Sequence, residues 1–481
     1  MPGVVSRSSA RMSVFYKPAD GFVGDVIPFY WDGLYHAFYL KAPLPPLRDG
    51  AHHTPYAHLA SSDLAHWEEL PLAIEPGPPG SPDSVSCFTG SVIERDGIFY
   101  LFYTGFTGEG EPQTVCLATS ADLINWQKDP RNPIIRADSR WYEAIDWRDP
   151  FPFWNEEAGE YWMLLAAREK SGPDNRRGCI ALMTSPDLLR WEVKPPFWSP
   201  RLYYTHECPD LFRWDDYWVL VYSTFSERNI THYRLSKSLA GPWLAPENDS
   251  FDGRAFYAAK TAGNGGRRYV FGWNPTREGE RDEGAWQWAG HLVAHELRDL
   301  TAEGFTLSSP SAQDDLFSQA RELRFRSEIG DWRVDPAVYA AEAIDGFAAC
   351  TLGEMPDAAL IEARITAQPG TRGCGLLLRC DAALERYYQI RWEPGRGRLV
   401  IDRWPRPGDE PFMLERALPS AGAGQLRLKI FVEGSLLVVY IDDALALNGR
   451  MYNHTSGQLG LFVSEGGAAF DDVTVHTLPA W

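Results

Sequence analysis

A seven-residue pattern, Ser-x-Asp-Leu-x-x-Trp, recurs at Ser61–Trp67, Ser120–Trp126 and Ser185–Trp191, with a looser copy from Ser236 to Trp243. Self-similarity of this kind marks a repeat architecture, in which one supersecondary unit buries its apolar face only against its neighbours. Each copy follows an apolar stretch (YAHLAS, TVCLATS, CIALMTS, HYRLSKS), so it reads as a turn leaving a strand, with Asp or Ser capping backbone N–H groups. Upstream lies a second repeat, a turn followed by an aromatic strand, seen in DGLYHAFYL, DGIFYLFYT, AGEYWMLLA, DDYWVLVYS and GGRRYVFGW. The five strand starts, Tyr35, Phe99, Tyr161, Tyr217 and Arg268, are 64, 62, 56 and 51 residues apart, about one four-stranded propeller blade each.

From Ser311 to Gly330 the repeat gives way to a charged, faintly helical stretch, SAQDDLFSQARELRFRSEIG, without strand alternation. Beyond it ALIEARITA, CGLLLRC, YYQIRWEP, RLVIDRW, LRLKIFVEG, LLVVYIDD and GQLGLFVSEG alternate and turn at β-sandwich intervals. The chain is therefore expected to be all-β: a five-bladed β-propeller over residues 12–315, a linker over 316–335 and a jelly-roll-like C-terminal β-sandwich over 336–481. The 42 Gly and 36 Pro agree with many short strands joined by turns.

A formal charge of −19 repels phosphate backbones and anionic lipid, so neither nucleic acid nor a membrane is an expected partner. The 19 Trp and 21 Tyr offer flat faces with a polar edge that suit sugar rings, although most aromatics in a β protein are core. Seven scattered cysteines without a C-x-x-C pair read as reduced thiols. The N-terminus has no apolar stretch of signal-peptide length, and no apolar run approaches a membrane span, so a cytoplasmic protein is expected, of open oligomeric state.

In a propeller the first strand of each blade lines the central channel, so equivalent repeat positions converge on the axis. Counting back from the aromatic strands, Asp25 lies 10 residues before Tyr35, Asp149 12 before Tyr161 and Glu207 10 before Tyr217. One such acid alone is more often a cap or a channel ion pair. Three on different blades repel one another, which raises at least one pKa and places a protonated acid beside an ionised partner, as glycoside cleavage requires. Arg148 precedes Asp149 and is placed to bind a sugar hydroxyl while keeping Asp149 ionised. His206, Cys208 and Asp210 flank Glu207, but no further ligand has metal-site spacing, and neither a metal nor another cofactor is expected.

The segments around Asp25, Asp149 and Glu207 resemble, in their order and spacing, the three acidic motifs of glycoside hydrolase family 32, the invertase, inulinase and levanase family: its Arg-Asp-Pro motif looks like Arg148-Asp149-Pro150, its Glu-Cys motif like Glu207-Cys208 and its Phe-Ser-Gly-Ser motif like Phe88-Thr89-Gly90-Ser91. The spacing of Asp252 and Tyr257 is similar to the family's fifth-blade segment, and LRLKIFVEGSLLVVYIDDALALNGRMY to its sandwich strands. The resemblance implies that Asp25 is the nucleophile, Glu207 the acid/base and Asp149 a stabiliser of the oxocarbenium-like transition state. Convergence alone does not assign these separate roles. Arg148, Phe88, Ser91, Cys208, Tyr257 and Trp31 are the candidate sugar-binding residues, and a short fructose-containing oligosaccharide is the expected substrate, cleaved from its end with retention.

The chain departs from the family at the first motif. In place of Asn-Asp-Pro-Asn-Gly it reads Gly24-Asp25-Val26-Ile27-Pro28, which lacks two amides that would hydrogen-bond a terminal sugar and implies a more apolar subsite. Two other readings stay open: an inverting propeller hydrolase resembling the arabinofuranosidase and xylosidase family 43, and a non-catalytic glycan-binding propeller.

Overall fold

The computed structural model describes residues 13–44, 53–335, 338–406, 408–418 and 424–479. The first twelve residues, which carry the reading of the N-terminus, and the expected domain limits at 12, 336 and 481 lie outside the described residues. No helix among the described residues is long and apolar enough to cross a membrane.

Each aromatic stretch noted above is the second strand of a blade. Blade 1 is β1 (Gly21–Trp31), β2 (Leu34–Pro43), β3 (Tyr56–Ser61) and β4 (Glu68–Ile74); blade 2 is β5 (Ser86–Arg95), β6 (Ile98–Phe106), β7 (Thr114–Ser120) and β8 (Gln127–Lys128). Blade 3 is β9 (Tyr142–Asn155), β10 (Glu160–Glu169), β11 (Gly178–Ser185) and β12 (Glu192–Trp198). Blade 4 has three strands, β13 (Glu207–Trp214), β14 (Tyr217–Thr224) and β15 (Ile230–Ser236). Where a fourth would lie, Pro242 and Pro246 remove ladder donors and leave isolated bridges at Leu235–Leu244 and His232–Ser250. Blade 5 is β16 (Tyr257–Gly263), β17 (Arg268–Arg277), β18 (Trp286–Leu300) and β19 (Phe305–Ser308), and Val23 pairs with Gly290 to link it to blade 1.

The Ser-x-Asp-Leu-x-x-Trp motif is the turn that leaves the third strand. Ser61 Oγ accepts the N–H groups of Asp63 and Leu64, and Asp63 Oδ1 accepts those of Ala65 and His66. Ser120 with Asp122 and Ser185 with Asp187 repeat the arrangement. These bonds hold Leu64, Leu123 and Leu188 at φ of 68°, 64° and 67°. A left-handed leucine costs about 1–2 kcal/mol, offset here because each leucine is buried in a core of its own.

The irregularity that matters for function lies in the first strands. Every one carries a β-bulge at the same level: between Val23 and Val26, Phe88 and Gly90, Arg148 and Phe151, Glu207 and Asp210, and Tyr257 and Lys260. A bulge sets extra residues against the partner strand and re-aims a side chain. Two bulges hold a proline, Pro150 and Pro209, where no ladder N–H is needed.

The C-terminal domain is one continuous sheet folded into two layers. The strand Gln458–Thr477 pairs through its first half with Gly373–Cys380 and through its second half with Ala358–Ala367, and it turns between them at Glu465 and Gly466, where φ is 47° and 156°. Ile361, Ile365, Leu376, Ile390, Trp392 and Val463 fill the space between the layers. The stretch read as a linker contributes strands to this sheet: Gln319–Ala320 pairs with His476–Thr477, and Arg326–Ile329 and Trp332–Asp335 pair with Val338–Glu354. Their side chains stay mostly exposed, so no buried face printed an alternation into the sequence.

The sandwich grips the propeller at both ends of the ring. Glu433 accepts the N–H groups of Val14 and Phe15, each at 3.1 Å, ahead of blade 1. Buried Arg450 donates to the carbonyls of Asn274 (2.8 Å) and Pro275 (3.0 Å) on blade 5. Buried Asp282, in the β17–β18 connection, accepts bonds from Tyr388 and Arg403.

Candidate active site

The bulges bring Asp25, Thr89, Arg148, Asp149, Glu207 and Cys208 to one cavity of about 470 Å³ at the end of the channel, lined also by Leu40, Phe88, Glu109, Gln113, Asp146, Phe225 and Trp288. Arg148, Glu207 and Tyr257 are the last paired residues before the bulges of blades 3, 4 and 5, and they form a chain of contacts. Arg148 Nη2 donates to Glu207 Oε1 at 2.9 Å, and Tyr257 Oη donates to Glu207 Oε2 at 2.5 Å. Arg148 Nη1 also holds Asp146.

Asp25 is met by neutral donors. Trp273 Nε1 and Trp288 Nε1 donate to Oδ1 at 3.0 and 3.2 Å, Thr89 Oγ1 donates to Oδ2 at 2.5 Å, and the Cys208 thiol lies 3.8 Å from Oδ2. Burial raises the Asp25 pKa, these donors pull it back, and the Glu207 charge adds to the rise.

Asp149, held at φ 64°, accepts the Cys208 N–H at 2.9 Å and donates its own N–H to Thr104 Oγ1 at 2.8 Å. Burial pushes its carboxyl up to about 7; Arg148 opposes the shift, while Glu207 and Asp25 add to it. Arg148 thus acts on Asp149 in the expected direction, and burial outweighs it. The guanidinium turns to Asp146 and Glu207 and comes only within 3.9 Å of Asp149.

Of the candidate sugar-binding residues, Arg148, Phe88 and Cys208 line the cavity and Tyr257 reaches Glu207. The other two do not join them. Ser91 is buried with its hydroxyl on the Gly90 carbonyl, one bulge past the cavity. Trp31 sits at the β1–β2 hairpin, stacked on Phe29 and edge-on to Phe99. Six strand residues, roughly 20 Å, separate it from Asp25. His206, Cys208 and Asp210 diverge: His206 is buried among Trp198, Tyr203 and Tyr222, and Asp210 accepts the Thr261 N–H.

The altered first motif also works differently from the expectation. Val26 and Ile27 are buried in the blade cores and face no subsite, while the space beside Gly24 is filled by the Trp288 indole. Thr89, Trp273 and Trp288, the donors to Asp25, were missed by sequence reasoning, as were the lining residues Leu40, Glu109, Gln113, Asp146 and Phe225. Thr89 stands 10 residues before Phe99, at the same count as Asp25 before Tyr35, so the repeat would have found it.

Residues 16–306 match the model of the glycosyl hydrolases family 32 N-terminal domain, and residues 344–477 that of the glycosyl hydrolases family 32 C terminal. Raffinose invertase of Escherichia coli is 27% identical, over 98% of this chain and 96% of its own length. Sucrose-6-phosphate hydrolase of Zymomonas mobilis subsp. mobilis is 25% identical, over 93% of this chain and 88% of its own. The solved structure of sucrose-6-phosphate hydrolase from Lactobacillus gasseri superposes with a TM-score of 0.75 at 20% identity, over 98% of this chain and 94% of that one. With both domain models matched along the chain and the three acidic motifs gathered at one cavity, this protein belongs to glycoside hydrolase family 32.

Proposed function

We propose that this glycosidase is a retaining, exo-acting β-fructofuranosidase that works on short fructose-containing oligosaccharides. Family membership sets aside the family 43 reading and the non-catalytic one. The names of the relatives, a raffinose invertase and a sucrose-6-phosphate hydrolase, support fructosides as the substrate class.

The observation that carries the mechanism is the different company kept by two carboxylates in one cavity. Asp25 is oriented by two indole N–H groups and a hydroxyl, donors that hold a carboxylate without giving up a proton, and so it suits attack on the anomeric carbon. Glu207 lies between Arg148 and Tyr257, an arrangement that aims its carboxyl and suits the acid/base role. In the first step an Asp25 oxygen bonds to the anomeric carbon as the glycosidic C–O bond breaks, and Glu207 protonates the departing oxygen. In the second, Glu207 takes a proton from water, which displaces Asp25 and restores the starting configuration. Asp149 accepts hydrogen bonds from sugar hydroxyls, which strengthen as charge develops on the ring.

NMR of the first-formed sugar tests the reading: the β-anomer is expected, and the α-anomer first would remove the nucleophile role from Asp25. Rates that climb with polymer length would count against short substrates. The proposed compartment is the cytoplasm, supported by seven buried free thiols and tested by cell fractionation.

A further inference from the structure

Gly24 and Trp288 touch in a way that neither the acids nor the family motifs require. A Cβ built on Gly24 would lie 2.5 and 2.6 Å from two ring carbons of Trp288 and 2.8 Å from the Leu40 carbonyl oxygen, distances that real Cβ atoms do not reach. The indole therefore lies where any side chain at position 24 would begin. From there its N–H reaches Asp25 Oδ1, next to the Trp273 N–H on the same oxygen. Trp288 follows the β17–β18 connection and lines the cavity with 37% of its surface exposed.

We propose that Gly24 and Trp288 form an interlocked pair, in which the absent side chain of one admits the indole of the other and makes Trp288 a positioning residue for Asp25. The first strand of blade 1 gives up its own polar neighbour to the nucleophile, and blade 5 supplies a donor in its place. This inference rests on the reading of Asp25 as nucleophile.

A donor to the ionised carboxylate favours the charged form, so its removal raises the pKa at which Asp25 becomes competent. The ionisable groups that face Asp25 are Glu207 and Cys208 from blade 4, Asp149 from blade 3, Tyr257 and Lys260 from blade 5 and Tyr56 from blade 1. Substitution at Gly24 or Trp288 leaves all six in place.

The test is a pH profile of kcat/KM on an activated fructoside for Trp288→Phe, Gly24→Ala, Trp288→Ala and Gly24→Ala/Trp288→Ala, with Asp25→Asn as reference and circular dichroism to verify folding. Trp288→Phe keeps the ring and loses the N–H, so the acid limb should move up by roughly one unit. Gly24→Ala should move it the same way by displacing the indole, and in the double variant the limb should move no further than in Trp288→Ala alone, whatever the Leu40 carbonyl costs in folding stability. An unmoved limb in Trp288→Phe, or a shift of the limb in the double variant beyond that of Trp288→Ala, overturns the pair. Activity retained in Asp25→Asn would instead overturn the nucleophile assignment.

Discussion

Tyr257 Oη donates to Glu207 Oε2 at 2.5 Å, while Arg148 Nη2 donates to the other oxygen of the same carboxylate. Both ends of Glu207 are thus held by residues at the equivalent position of the neighbouring blades. Tyr257→Phe keeps the ring and removes one hydrogen bond to a charged group. The expected loss in kcat is about ten- to a hundredfold with KM near that of the wild type, as steady-state kinetics will show. An unchanged kcat would mean that Arg148 alone orients Glu207.

Asp25 and Glu207 are expected to fail differently. Asp25→Asn should abolish turnover on every substrate, since no glycosyl-enzyme forms without the nucleophile. Glu207→Gln should lose about 10²–10⁴-fold on natural sugars, spare glycosylation by nitrophenyl fructoside, and show a burst with rescue by azide. Equal losses on both substrates, without burst or rescue, would show the roles to be misassigned.

Asp149 gives a stability prediction with a definite sign. Its folded pKa, about 7, lies above its unfolded value. Between the two the folded protein holds the extra proton, so stability is greatest at low pH and falls as pH rises towards neutral. Asp149→Asn should therefore raise the melting temperature at pH 8 and change it little at pH 4, while activity falls. A lower melting temperature at pH 8 would show that the ionised form is well satisfied after all.

The grip of the sandwich on both ends of the ring predicts one unfolding transition. Arg450→Met removes the donor to the carbonyls of Asn274 and Pro275, next to Trp273, and should cost about 1–3 kcal/mol. Calorimetry should record a single peak at lower temperature in the variant as in the wild type. Two separated peaks in the wild type would show that the domains melt independently.

The propeller was legible because its turn demands particular chemistry: a left-handed Leu64 needs both Ser61 and Asp63 to hold it, and so the pattern recurs in the chain. Asp149 and Glu207 were legible because charge on an inner strand is conspicuous. Thr89 shares their register but carries a hydroxyl, common at turns and caps, which draws no notice. Trp288 was hidden by geometry, because it lies at an irregularity of β18 that breaks the alternation, and Trp273 because it sits on a second strand, away from the first strands where the acids were counted. Trp31 was misplaced for a related reason: residue type suggested a sugar platform, while strand rise carries it to the opposite end of blade 1.

The five bulges separate chemistry from architecture. Ladder hydrogen bonds resume on either side of each, so the blade keeps its shape whatever the re-aimed side chain happens to be. Blades 1 to 4 carry Asp25, Thr89, Asp149 and Cys208 in their bulges, Asp25 one place later than the others, while blade 5 carries Ala258, at φ 53°, against Cys208, Tyr257 and Trp273. The ring is thus a holder with five sockets, one of them blank, in which evolution changes the tool without recasting the handle.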